Sequence, residues 1–86
     1  MKQQSTEAAI RRIRQMESLF DHLQQPEARN SPDFQTQLQT LTAYYESGLW
    51  LQDYRMDELG LLPDGLKRGV LSEDGVYHFL TEVNFQ

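Results

Sequence analysis

The sequence predicts an all-α domain: an antiparallel helical hairpin, then a short aromatic helix and a C-terminal helix. Three observations predict it. Apolar residues recur at spacings of three and four in separate stretches, as they do on helices with one buried stripe. Proline, glycine and serine stand at the ends of those stretches, where helices start and stop. No stretch alternates apolar and polar residues as a half-buried strand does.

The first stretch is Thr6, Ala9, Ile13, Met16, Phe20 and Leu23, a heptad seam. It predicts a helix over 6–25, about 30 Å long. Ser5 is placed to cap its start, and Gln24-Gln25-Pro26 ends it, because proline cannot continue a helix interior. Residues 27–31 form a polar link. Ser31 then caps a second helix, with Pro32 at its first position, where a missing N–H costs nothing. Phe34, Leu38, Leu41 and Tyr45 make its seam, and Gly48 stops it. The short link favours an antiparallel pair.

Trp50 and Tyr54 lie one helical turn apart, as do Asp53 and Asp57, which predicts a third helix over 49–58 ended by Gly60. Leu62-Pro63-Asp64-Gly65 has the residues of a β-turn, with proline second and glycine fourth. Gly69 closes this connector. The last helix is expected over 73–83. Ser72 is its N-cap, and Glu73 and Asp74 suit the positive end of the helix dipole. Leu71 and Val76 form a hydrophobic staple, and Val76, Phe79, Leu80 and Val83 line one face.

A chain of 86 residues is expected to make a single helical domain, 1–86. Such a domain buries roughly 60–65% of its unfolded surface. The hydrophobic fraction of 38% is low for that size, so helix packing or a second copy has to complete the burial. Residues 1–30 hold five basic and four acidic groups; residues 31–86 hold three and nine, a net of −6. That field repels phosphate backbones, so neither nucleic acid nor an anionic membrane is an expected partner. There is no cysteine, hence no disulfide and no thiolate nucleophile, which fits a reducing compartment. The N-terminus lacks the apolar stretch of a secretory signal, and no apolar run approaches the roughly 20 residues of a spanning helix. A soluble, cytoplasmic protein is expected.

Candidate chemistry is sparse. Arg11, Arg12 and Arg14 read as a solvated helix face, with Glu7 and Arg11 in the favourable i, i+4 order. The competing reading is a phosphate-contacting patch, but no glycine-rich phosphate loop accompanies it. His22 and His78 are too few and too far apart in sequence for a zinc site. Asp53, Asp57 and Glu58 offer oxygen ligands without the spacing of a calcium loop. Ser72 has no base near it in sequence. No nucleophile elbow, phosphate loop or dinucleotide fingerprint occurs. Neither an enzymatic activity nor a metal or cofactor is expected.

The segment Tyr44 to Tyr54 holds the only tryptophan and three of the four tyrosines, interleaved with carboxylates. So much aromatic area either packs onto a core or meets a partner. In the first case Tyr45, Trp50 and Tyr54 close the open end of the hairpin. In the second, Trp50 and Tyr44 stay exposed near Lys67 and Arg68 as an interface anchor. Both hold if the protein dimerises through this end. The candidate partner-binding residues are therefore Tyr44, Trp50, Asp53, Tyr54, Lys67 and Arg68.

Tyr44-Tyr45-Glu46-Ser47 with Trp50, Asp53 and Tyr54 is one distinctive segment; Leu66-Lys67-Arg68-Gly69-Val70-Leu71-Ser72-Glu73-Asp74-Gly75-Val76-Tyr77 is another. Together they resemble a family of short bacterial proteins, common in Firmicutes, known as a domain of unknown function. The resemblance spans roughly residues 10–83 and is most specific over 66–77. It implies a small, intracellular, mostly helical protein and brings no activity, ligand or catalytic residue. The expected function is a protein-interaction or regulatory module without a cofactor, its protein partner unidentified, as a monomer or a homodimer. The alternative is an acidic decoy that occupies a basic nucleic-acid-binding protein.

Overall fold

A computed structural model of the protein describes residues 6–72 and 74–84. The described residues form four α-helices and two 3-10 turns, with no strand. The helices are α1 (Thr6–Leu23), α2 (Phe34–Glu46), α3 (Leu49–Glu58) and α4 (Gly75–Asn84). The 3-10 turns are Pro26–Asn30 and Gly69–Leu71. None of these helices is long and apolar enough to cross a membrane.

The α1 seam packs as its spacing dictates. Ala9, Ile13, Phe20 and Leu23 are buried, Met16 is half-buried and Thr6 is exposed. The N–H of Gln24 still reaches the Phe20 carbonyl, after which the chain turns into the 3-10 segment led by Pro26. Proline at that position costs no bond, because the first N–H groups of a helical turn have no internal acceptor. Ala28 plugs the segment into the core. Arg12, in the first half of α1, and Tyr44, near the end of α2, reach the same carboxylate, so the two helices run antiparallel.

Several boundaries differ from the sequence expectation. Regular helix α2 opens at Phe34 rather than Pro32. Ser31 keeps a capping role in the preceding turn, where its Oγ accepts the Asp33 N–H at 3.2 Å. The fourth buried member of the α2 seam is Tyr44 and not Tyr45, which is half-buried. The helix turns its last residues toward a buried polar group, and the seam follows. The tight turn after α3 lies one residue later, with Leu66 N–H on the Pro63 carbonyl, so proline holds its first position. Helix α4 opens at Gly75; a turn from Ser72 to Gly75 precedes it, and Ser72 ends the 3-10 segment instead of capping a helix that starts at 73. Ser5 and Glu73 lie outside the described residues.

Helix α3 occupies the predicted span, set off on both sides by glycines in the left-handed region: Gly48 at φ 96° and Gly60 at φ 72°. Side chains other than glycine rarely adopt that conformation. Leu71 and Val76 are both buried, with Phe79 and Leu80, and Phe79 meets Phe20 of α1 edge to face at 5.6 Å. One core thus joins all four helices and both 3-10 segments.

Candidate functional site

The aromatic helix is fastened from its inner side by three sets of contacts. At the first, Asp53 on α3 is completely buried. Arg12 on α1 grips it with two bonds, Nε to Oδ2 at 2.9 Å and the terminal guanidinium nitrogen to Oδ1 at 2.5 Å. Tyr44 on α2 donates its hydroxyl to Oδ2 at 2.7 Å. A buried charge is tolerated only when paired and hydrogen-bonded, and here all three bonds are charge-assisted. The bond to Asp53 raises the Arg12 pKa further, against the opposing effect of burial. Burial, then the bond to Asp53, pushes the Tyr44 hydroxyl well above the ordinary tyrosine range.

The second set is the aromatic stack. Trp50 lies nearly parallel to Tyr54 at 5.1 Å and meets Tyr45 edge-on at the same distance. The indole N–H donates to the Val70 carbonyl at 2.8 Å. This ties α3 to the 3-10 segment, whose carbonyl has no partner within so short a helix.

The third set holds the connector between α3 and α4. Arg68 reaches Asp57 at 2.8 Å, the Leu66 carbonyl at 3.2 Å, and the Pro63 carbonyl. Next to it, Glu17 of α1 accepts the Val70 N–H at 2.7 Å. A Cβ on Gly69 would stand 3.1 Å from a Glu17 carboxylate oxygen, so glycine lets the two segments approach.

The candidate residues named from the sequence thus separate. Tyr44, Trp50 and Asp53 are buried and face inward; Tyr54 and Arg68 are half-buried; Lys67 is exposed. The burial of Trp50 and Tyr44 follows the core reading of the aromatic segment. Of the arginine cluster, Arg11 and Arg14 are exposed as a solvated face requires, whereas Arg12 is turned onto Asp53. The carboxylates weighed as metal ligands are engaged in part by arginines, Asp53 by Arg12 and Asp57 by Arg68. His22 and His78 are exposed.

The outer side of α3 carries what the sequence reading missed. Leu51 is 43% exposed, Leu59 73% and Leu61 54%. With Met56 and Arg55 they line an open groove of about 490 Å³. The signal was available: Leu51, Arg55 and Leu59 recur every four residues, off the turn defined by Trp50 and Tyr54.

No curated protein and no solved structure matches the chain. Residues 3–85 match the profile of a family described as a domain of unknown function (DUF4298), and the chain belongs to that family.

Proposed function

We propose that this protein is a non-enzymatic interaction module, a small intracellular bacterial regulator that docks another protein on the outer face of α3. The exposed leucine row around Arg55 carries this reading. Apolar side chains grouped on one exposed face mark interaction sites more often than scattered ones do. Beneath the row, Trp50, Asp53 and Tyr54 fix the helix, so its outer face is presented on a rigid support.

The groove chemistry suits one kind of occupant. Arg55 is the charged residue of its lining. The fitting segment is an amphipathic helix with apolar side chains one turn apart and a carboxylate for Arg55. Lys67 and Arg68 belong to the support and its flank rather than the groove. The acidic decoy ranks lower because Asp53 and Asp57 of the acidic half turn toward the chain's own arginines. The polar cluster at Asp53 is likewise committed to internal partners, which supports a role without chemistry.

A photoreactive phenylalanine analogue at position 59 tests the proposal in cells. A single protein species crosslinked from position 59, and none from position 35 on the exposed side of α2, is the expected result. Crosslinking only to a second copy makes the module a homodimer. No adduct from position 59 ends the proposal.

A further inference from the structure

We propose that the protein docked on the outer face of α3 is a second copy of this chain, turned end over end so that the two α3 helices meet at Arg55. The inference rests on the reading of that face as a docking surface. Four of the five large apolar side chains exposed among the described residues, Leu49, Leu51, Leu59 and Leu61, lie on α3 or just past its end. Leu51 and Leu59 each stand four residues from Arg55, one on either side. The N–H of Leu59 still bonds the Arg55 carbonyl, so Leu59 keeps the register of the helix. The row therefore reads the same in both directions. A two-fold axis at Arg55 sets Leu51 of each chain against Leu59 of the other, which is the self-complementarity a symmetric dimer requires.

The charges select the antiparallel pairing. Of the carboxylates on α3, Asp53 is taken by Arg12 and Asp57 by Arg68. Arg55 and Glu58 are exposed, and neither forms an ion pair among the described residues. When the copy is turned end over end, each Arg55 lies between two carboxylates, Glu58 of its own chain on one side and Glu58 of the copy on the other. Each is about 4.5 Å away along the axis, within the reach of a long side chain. A parallel pairing sets Arg55 on Arg55 and Glu58 on Glu58, and like charges placed opposite one another disfavour it. The helix that suits the groove, with apolar side chains at turn spacing and a carboxylate for Arg55, is thus α3 itself. Trp50, Asp53 and Tyr54 already hold that helix in place, so pairing has little left to order.

The test is sedimentation equilibrium of the full chain at about 100 μM, where a dimer of micromolar affinity is largely formed. A species of twice the chain mass of 10.1 kDa is expected. Arg55→Glu and Glu58→Arg should each weaken it about tenfold, and the double variant Arg55→Glu/Glu58→Arg should return it close to the wild-type affinity. Both positions are exposed, so folding is unaffected. The chain has no cysteine, so mixing Leu51→Cys with Leu59→Cys under oxidising conditions reads the register. The mixed disulfide should form in excess over either symmetric one. A dimer that ignores both charge reversals, or a mixed disulfide no faster than the symmetric ones, overturns the pairing. A monomer at this concentration overturns the second copy as occupant. Crosslinking from position 59 to a different protein then leaves the docking surface standing, whereas no adduct ends both readings.

Discussion

The carboxylate of Asp53 is buried on α3 and gripped by the guanidinium of Arg12, 41 positions earlier in the chain, through two bonds. Tyr44 supplies a third from α2. Three helices therefore meet at one carboxylate. Replacing such a pair with well-packed apolar residues is often neutral, but removing one partner leaves a charge stranded. The arrangement therefore sets the register of α1, α2 and α3 more than it adds net stability.

Asp53→Ala strands Arg12, which is only one-fifth exposed. A loss of about 3–5 kcal/mol is expected, close to the whole stability of a domain this small. Urea unfolding followed by circular dichroism measures it. Wild-type stability in this variant would show that solvent had already replaced Asp53 as the partner of Arg12.

Tyr44 ties stability to alkaline pH. Its pKa in the folded state is raised, so the folded form holds the hydroxyl proton after the unfolded chain has released it. The contribution is complete below about pH 10, the unfolded value, and is lost as pH rises above it. Tyr44→Phe should remove this alkaline slope while costing about 1.5–3 kcal/mol at neutral pH, through the lost bond to Asp53. Thermal melts at several pH values compare the two proteins. An alkaline slope identical in the variant would place its origin elsewhere.

Glu17 and Gly69 are coupled. Gly69→Ala brings a methyl group 3.1 Å from Glu17 Oε2, so the carboxylate has to shift by a few tenths of an ångström, which strains the bond its Oε1 accepts from the Val70 N–H. The single change should cost about 1–3 kcal/mol, and much less in a Glu17→Ala background. A double-mutant cycle measures the difference. Strict additivity would mean that the carboxylate moves aside without cost.

Trp50→Phe keeps an aromatic ring but deletes the donor to the Val70 carbonyl. A destabilisation of about 1–3 kcal/mol follows from leaving that carbonyl unpaired. Faster hydrogen exchange is expected around residues 69–71, because the 3-10 segment loses its tie to α3. Unchanged exchange there would show that Glu17 alone holds the segment.

Arg68→Ala releases the connector rather than the core. Its pair with Asp57 is about one-third exposed on the arginine side, so the global cost is modest, about 1 kcal/mol or less. Limited proteolysis within residues 61–67 should nevertheless accelerate, because the bonds to the Pro63 and Leu66 carbonyls disappear together. Cleavage at the wild-type rate would mean that Leu62 and Leu66 hold the loop by burial.

The sequence by itself determined the helices and their stops. Spacings of three and four mark the seams of α1, α2 and α4, and Gly48 and Gly60 bracket α3, because periodicity and left-handed backbone are local properties of the chain. The capping residues were legible only in kind. Ser31 and Ser72 stand in the turns before the helices, since a serine in such a turn bonds equally well in several geometries. Tertiary structure alone decided which charges meet. Arg12 stands beside Arg11 in sequence and Asp53 three residues from Trp50, yet only the antiparallel pairing of α1 and α2, with α3 packed against α2, brings Arg12, Tyr44 and Asp53 together. The same packing spent Trp50 and Tyr44 on the interior and left Leu51, Leu59 and Leu61 outside. A helix with apolar residues on both faces does not state which face it buries; that choice belongs to the surfaces it meets.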